Sequence, residues 1–312
     1  MGSPAAQRGP FAEGSPSDPS LHRWTSLRVG GPAGYLVSPA DAEDVVRTIQ
    51  SACDVGNEWV GLGAGTNTLF LDEGYPGVVI RSGRLLGVTI RGRRLTAAAG
   101  EPLAHAVRLA CEAGLSGLEW AAGIPGTVGG AVIMNAGSAG GEVTEVLLEA
   151  TSASSKGLRR RPSEELSLGY RESAFHSGRL REFVTEATFE LVPGSSERSL
   201  AKVRSLLAER TRKYPTGATA GSTFRNPRGG PTAGELLDRA GCKGMRVGAA
   251  HVAERHANFI LNDSERNADD ILRLIDAMKR RVFEAFGIEL VEEIDIYPKR
   301  GTTRSLGASS AP

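Results

Sequence analysis

The chain has 312 residues, 37 Lys plus Arg against 36 Asp plus Glu, and a formal net charge of +1. That balance excludes a general nucleic-acid binder and a polybasic membrane-surface protein. The apolar fraction is 40%, ordinary for a folded chain and too high, at so low a net charge, for a disordered one. Glycine is the outlier at 40 residues, roughly twice the usual ~7% and without the period of three that collagen needs.

In chain order, residues 1–20 read as a Gly/Pro/Ser-rich tail without the apolar stretch of a signal peptide. Tyr35–Ser38 reads as a strand. Asp41–Cys53 reads as a helix with Val45, Val46, Ile49 and Ala52 on one face and Asp41 at its start. Glu58–Leu62 and Val78–Arg81 are β-type runs. Pro102–Glu112 is a helix that opens on a proline, where no N–H is needed. The uncharged stretch Trp120–Gly141 is long enough to span a bilayer. Its seven glycines and Pro125 argue instead for buried loop and strand around a ligand, with Ala131–Met134 as the strand.

Phe183–Leu191 alternates as a strand does. Ser199–Arg212 is an amphipathic helix with Val203, Leu206 and Leu207 inward, placed to link two domains. Beyond it, helices at Ala233–Arg239 and Ala268–Phe286 and strands at Ala257–Leu261 and Glu289–Tyr297 form a smaller α+β unit. Residues 299–312 read as a second tail. Three scattered cysteines, Cys53, Cys111 and Cys242, fit neither a disulfide framework nor a zinc ribbon. They suit a reducing cytosol, and no metal site is expected.

The glycines cluster. Gly61-Leu-Gly63-Ala64-Gly65-Thr66-Asn67-Thr68 follows a strand. It is either a tight turn or a cradle of converging N–H groups for a pyrophosphate. It lacks the lysine of a P-loop and the third glycine of the dinucleotide fingerprint. Ala122-Gly123-Ile-Pro125-Gly126-Thr127-Val-Gly129-Gly130-Ala131, continued by Asn135 and Gly137, is either a loop packed on its own protein or a backbone shaped around a flat ligand. Two such clusters in β-rich sequence favour a dinucleotide.

In the last third, Gly221-Ser222-Thr-Phe-Arg225-Asn226, His256-Ala-Asn258 and Glu292-Glu293 bring polar groups to turns and strands. Singly, each reads more readily as a capped turn, a satisfied core group or a solvent-facing charge. Strand alternation puts Glu292 with Leu290 and Ile294, and Glu293 with Val291 and Asp295. An inward carboxylate at either position needs a job.

Taken together, these residues resemble the UDP-N-acetylenolpyruvoylglucosamine reductases. The motifs come in that family's order: Thr25-Ser-Leu-Arg28-Val-Gly-Gly, Gly61–Thr68, Gly123–Ala131, Met134-Asn-Ala-Gly137, Tyr170-Arg171-Glu-Ser173-Ala-Phe175, Ala220–Pro227, Glu254–Phe259 and Gly287–Leu290. The resemblance implies an α+β fold. A two-part FAD-binding region of the vanillyl-alcohol-oxidase (PCMH) type, at 21–80 and 81–205, would precede a C-terminal α+β substrate domain at 206–298. It implies non-covalent FAD held by the residues of the two glycine clusters, with NADPH as hydride donor. Hydride would reach the methylene carbon of UDP-N-acetylglucosamine enolpyruvate and a proton the neighbouring carbon, giving UDP-N-acetylmuramate for peptidoglycan in the cytoplasm.

By the same resemblance, Ser222 is the proton donor, Arg171 stabilises the charge that develops beside the substrate carboxylate, and Glu293 orients or protonates it. Tyr170, Lys213, Arg225, Asn226 and Asn258 are matched to substrate or nicotinamide contacts. The chain departs from the family at Arg225, where many members have lysine, and at Val291-Glu292-Glu293, where many have proline before the glutamate. The short loop after Phe175 resembles the subclass without a tyrosine-bearing lid. An alcohol or sugar oxidase on the same FAD fold, and a nucleotide-binding module without catalysis, are the competing readings.

Overall fold

The structure is a computed structural model that describes residues 19–264 and 267–298. The two expected tails lie outside the described residues apart from Pro19 and Ser20.

The chain opens with β1 (Ala33–Val37), α1 (Ala42–Asp54), β2 (Trp59–Leu62), β3 (Thr68–Phe70) and β4 (Tyr75–Arg81). β1, β4 and β2 form a parallel sheet in that order. α1 starts where Asp41 accepts a hydrogen bond from the Asp44 N–H, a side-chain cap for an otherwise orphaned donor. Val45, Ile49 and Ala52 are buried, spaced to share one face of the helix.

Next come β5 (Val88–Arg91), β6 (Arg94–Ala98), α2 (Leu103–Glu112), β7 (Leu115–Ser116), α3 (Val128–Ile133), β8 (Gly137–Ser138) and β9 (Gly141–Glu142). They are followed by β10 (Leu147–Ser154), β11 (Gly157–Pro162), β12 (Phe183–Glu190) and β13 (Val192–Pro193). A five-stranded sheet runs β11-β10-β12-β6-β5, antiparallel throughout. One apolar core joins α1, α2 and α3 to this sheet through residues such as Val45, Leu103, Val128, Ala187 and Phe189.

The expected strand at Ala131–Met134 is instead the end of α3. Thr127 caps that helix by accepting from the Gly130 N–H, and Gly129 sits so close to Ala99 that a Cβ there would lie 2.8 Å from the Ala99 Cβ. A short run of small apolar residues does not reveal its period, and the cap and close packing decide for helix.

The last third holds α4 (Ser196–Lys213), α5 (Ala233–Arg239), β14 (Arg246–Val247), β15 (Ala250–Val252), β16 (Ile260–Asn262), α6 (Ala268–Phe286) and β17 (Asp295–Tyr297). α4 is less amphipathic than expected. Leu207 is 41% exposed, because the helix rests on the larger core at Leu200 and Val203, nearer its start. α6 buries Ile271, Leu272, Ile275, Met278 and Val282. Each fully buried side chain of this kind contributes about 1.5–3 kcal/mol relative to exposure.

Two expected strands are shorter. Ala257–Phe259 is a turn closed by the Phe259 N–H donating to the His256 carbonyl, and only Ile260–Asn262 joins a sheet. Of Glu289–Tyr297, only Asp295–Tyr297 joins a sheet, in parallel with β3. The residues before it bond a neighbouring turn: the Arg225 N–H donates to the Val291 carbonyl and the Glu293 N–H to the Thr223 carbonyl. The second core accordingly draws Leu27, Val29 and Leu69 into contact with α5 and α6, so the first and last thirds of the chain are packed together.

Candidate active site

β2 delivers the chain into Gly61–Thr68, and the local geometry explains the glycines. At Gly65, φ is +64°, and a Cβ would lie 2.1 Å from the Trp24 carbonyl oxygen. No other residue fits so close an approach. Gly63 faces the second cluster, where a Cβ would meet Thr127 Oγ1 at 2.7 Å. Thr66 Oγ1 donates to the Pro125 carbonyl at 3.1 Å, tying the two loops together. Among the described residues, the N–H groups of Gly63, Ala64, Gly65 and Thr66 have no protein acceptor.

The loops bound an open cleft with an empty volume of about 1230 Å³. The first cluster lines it with Gly61, Gly63, Ala64, Gly65, Thr66, Asn67 and Thr68. The second lines it with Pro125, Gly126, Thr127, Gly130, Ala131 and Gly137. Four residues expected on the cofactor stand behind the lining. Ala122 is buried. Gly123 leaves room for Arg210 and Leu207, whose atoms would lie 2.7 and 2.9 Å from a Cβ, and Gly129 packs on Ala99. Asn135 is fully buried, with its amide donating to the Gly169 carbonyl and accepting from the Thr144 N–H.

Another part of the wall brings together Ser222, Arg171 and Glu293. Gly221, at φ +78°, turns the chain into Ser222. Ser222 pairs with Phe259 through the backbone, and its hydroxyl has no hydrogen-bond partner among the described residues. Arg171 donates from Nε to Glu293 Oε1 and from Nη2 to the Gly137 carbonyl, both at 2.9 Å. Its φ of +54° is unusual for a side chain of that size. Asn67 Nδ2 donates to the Glu293 carbonyl, joining the first glycine loop to this wall.

The two adjacent glutamates divide cleanly. Glu292 takes an ion pair from Lys279 of α6 at 2.9 Å, whereas Glu293 faces the cleft. Burial pushes the Glu293 carboxyl above the ordinary carboxylate range, against the opposing pull of Arg171 and Arg225.

The residues expected to contact substrate stand apart from the lining. Tyr170 is 49% exposed, and its hydroxyl accepts from the Asn226 N–H at 3.4 Å. Asn226 Oδ1 accepts from the Ala233 N–H at the start of α5. Arg225 is half-buried, and its Nε has no partner. Lys213 lies 5.5 Å from the Tyr214 ring centre at the end of α4. Asn258 is buried, with both ends of its amide bonded to the Phe224 backbone. That clamp spends its polar atoms on fixing the turn after Ser222.

Arg210, Tyr214, Phe259 and Asp295 also line the cleft and were not singled out by sequence. The Tyr214 and Phe259 rings lie 5.2 Å apart, with Arg210 4.7 Å from the Tyr214 ring. An Arg three to four residues before an aromatic at a helix end, followed by proline, was the available signal.

Unpartnered N–H groups on a glycine loop, beside a second loop rich in glycine, fit a flavin dinucleotide. A family model described as the C-terminal domain of UDP-N-acetylenolpyruvoylglucosamine reductase matches residues 212–297, and an FAD binding domain model matches residues 33–161. The UDP-N-acetylenolpyruvoylglucosamine reductase of Syntrophotalea carbinolica is 39% identical over 278 residues, 88% of this chain and 92% of that protein. This chain belongs to the UDP-N-acetylenolpyruvoylglucosamine reductase family. The enzyme of that name from Synechococcus sp. (strain WH7803) is 41% identical over 282 residues, 88% of this chain and 90% of that protein. The crystal structure of the Thermus caldophilus reductase superposes with a TM-score of 0.77 at 36% identity, covering 89% of this chain and 97% of that one. The fold is thus α+β, with an FAD-binding region of the vanillyl-alcohol-oxidase type. No helix among the described residues is long and apolar enough to cross a membrane.

Proposed function

We propose that this chain is the FAD-dependent enzyme that reduces the enolpyruvyl group of UDP-N-acetylglucosamine enolpyruvate to UDP-N-acetylmuramate, with NADPH as electron source. The observation that carries this reading is the convergence of Ser222, Arg171 and Glu293, from three distant parts of the chain, on the cleft lined by both glycine loops. Bound there, FAD supplies the two-electron chemistry that moves hydride from NADPH to the enolpyruvyl methylene carbon. The chain's own groups do the rest.

The loop Gly61–Thr68 holds the cofactor through backbone N–H groups, and Pro125–Ala131 supplies a surface for it to lie against. The Arg171 guanidinium supplies fixed positive charge where negative charge develops next to the substrate carboxylate. The Ser222 hydroxyl donates the proton to the carbon that bears that carboxylate, so one hydride and one proton add across the double bond. Serine is a weak acid, and its placement against a strongly basic carbon outweighs its pKa. Glu293 orients Arg171 and, with its raised affinity for protons, serves the substrate carboxylate or the reloading of Ser222.

Tyr170, Arg225 and Asn226, outside the cleft lining, are the candidates to hold the nucleotide part of the substrate. Lys213 is matched to the same role. The exposed free thiol of Cys53 suits the reducing cytoplasm, where the reaction would feed cell-wall synthesis, cell shape and division.

Anaerobic mixing tests the reading. NADPH should bleach the flavin, and the enolpyruvyl sugar nucleotide should restore its colour. In Ser222→Ala the first step should stay near wild type and the second should fail. Rapid flavin reoxidation by oxygen, with none by the sugar nucleotide, would favour an oxidase instead.

A further inference from the structure

Arg171 belongs to a short segment, residues 169–178, that is fastened on two sides. On one side, Asn135 donates to the Gly169 carbonyl at 2.9 Å, and the buried Ser173 hydroxyl donates to the Ile133 carbonyl at 2.7 Å. Both anchors lie at the end of α3. On the other side, two side-chain contacts reach the run that enters β17. Arg171 meets Glu293, and five residues on, His176 Nε2 meets Asp295 Oδ1 at 2.9 Å. Glu293 and Asp295 are two residues apart, and both face the cleft.

Asp295 is itself fixed. Its N–H donates to the Asn67 carbonyl at 2.9 Å, and it pairs with Thr68 in the register of β3 and β17. The His176 N–H donates to the Ser173 hydroxyl at 3.1 Å. His176 therefore stands between the anchor at α3 and the end of the cofactor loop. Its side chain is 15% exposed, and it does not itself line the cleft.

We propose that the His176–Asp295 pair is a positioning bridge that keeps Arg171 aimed at the cleft, resting on the reading of Arg171 and Glu293 as the substrate-facing pair. Arg171 has competing duties. Arg171 holds an unfavourable left-handed backbone and uses two guanidinium nitrogens on Gly137 and Glu293. A substrate carboxylate that draws on this guanidinium weakens the link to Glu293. With that link alone, the segment would part from the strand at the moment its position matters. The second bridge, whose His176 stands off the cleft lining, keeps the spacing while Arg171 exchanges partners. His176 acts through Arg171 and has no chemical step of its own.

The test separates the two half-reactions in purified holoenzyme. In His176→Ala, reduction by NADPH and its KM should stay within about twofold of wild type, while reoxidation by the enolpyruvyl sugar nucleotide slows on the order of tenfold. His176→Gln, whose amide also donates toward Asp295, should recover most of that rate. A His176→Ala, Asp295→Ala double variant should be no slower in reoxidation than the worse single one. The bridge is overturned if His176→Ala reoxidises at the wild-type rate, if His176→Gln is as slow as His176→Ala, or if both half-reactions slow together. Wild-type flavin that the sugar nucleotide fails to reoxidise would instead overturn the proposed function.

Discussion

Arg171 Nε lies 2.9 Å from Glu293 Oε1, a contact between residues 122 positions apart in the chain. The guanidinium also reaches the Gly137 carbonyl, so one planar group links the second glycine loop to the run that enters the last strand. Lysine carries the same charge on a single nitrogen and cannot span both acceptors. Arg171→Lys should therefore slow reoxidation by substrate on the order of 100-fold and leave reduction by NADPH nearly unchanged, as read by stopped-flow absorbance of the flavin.

Glu293 gives a pH dependence whose sign is fixed by burial. Its folded-state pKa is raised, so the folded protein holds this proton to higher pH than the unfolded chain does. The group contributes stability below its unfolded pKa and loses it as pH rises through the folded value. Glu293→Gln should thus match wild-type thermal stability near about pH 4 and exceed it near about pH 7, with activity lost. Melting curves at the two pH values check this.

Glu119 shows the opposite sign. It is buried, and burial alone would raise its pKa. Hydrogen bonds from Ser199, Ser116 and the Gly117 N–H outweigh that and hold it at about 2. Ser199 belongs to α4, so this carboxylate fastens α4 to β7 and the turn that follows it. Its stabilisation is present above the unfolded pKa of 4.5 and is lost as pH falls toward about 2. Glu119→Gln should cost on the order of 3 kcal/mol near neutral pH and little near pH ~2, measured by urea unfolding.

Gly63 tests the cofactor cradle without touching the acidic wall. A Cβ there would meet the hydroxyl of Thr127, the cap of α3, at 2.7 Å. Gly63→Ala should weaken FAD binding about tenfold or more, since the two loops must part to admit the methyl. Fluorescence titration of apoprotein with FAD measures it.

The glycine loops were legible in sequence because their constraint is local: a backbone that passes within bonding distance of another chain segment excludes a Cβ, as at Gly65 and Trp24. α1 was legible by period and by its cap at Asp41, and α6 by period alone. α3 was missed because six small residues satisfy strand and helix patterns alike, although Thr127 before them is a capping residue. The division of labour between Glu292 and Glu293 needed Lys279 and Arg171, which only the fold brings near. Asn258 carried the chemistry of a ligand contact, but the turn at Phe224 uses both ends of its amide. Asp295 and His176 form a pair across 119 positions that no local pattern announces.

β3 has β17 as its partner strand, with Leu69 and Phe70 fully buried between them and their surroundings. During synthesis both glycine loops therefore leave the ribosome long before the strand that completes their outer edge. A nascent chain stopped short of Leu290 would carry the whole cofactor wall, no carboxylate for Arg171, and a bare hydrophobic strand edge open to pairing with another chain.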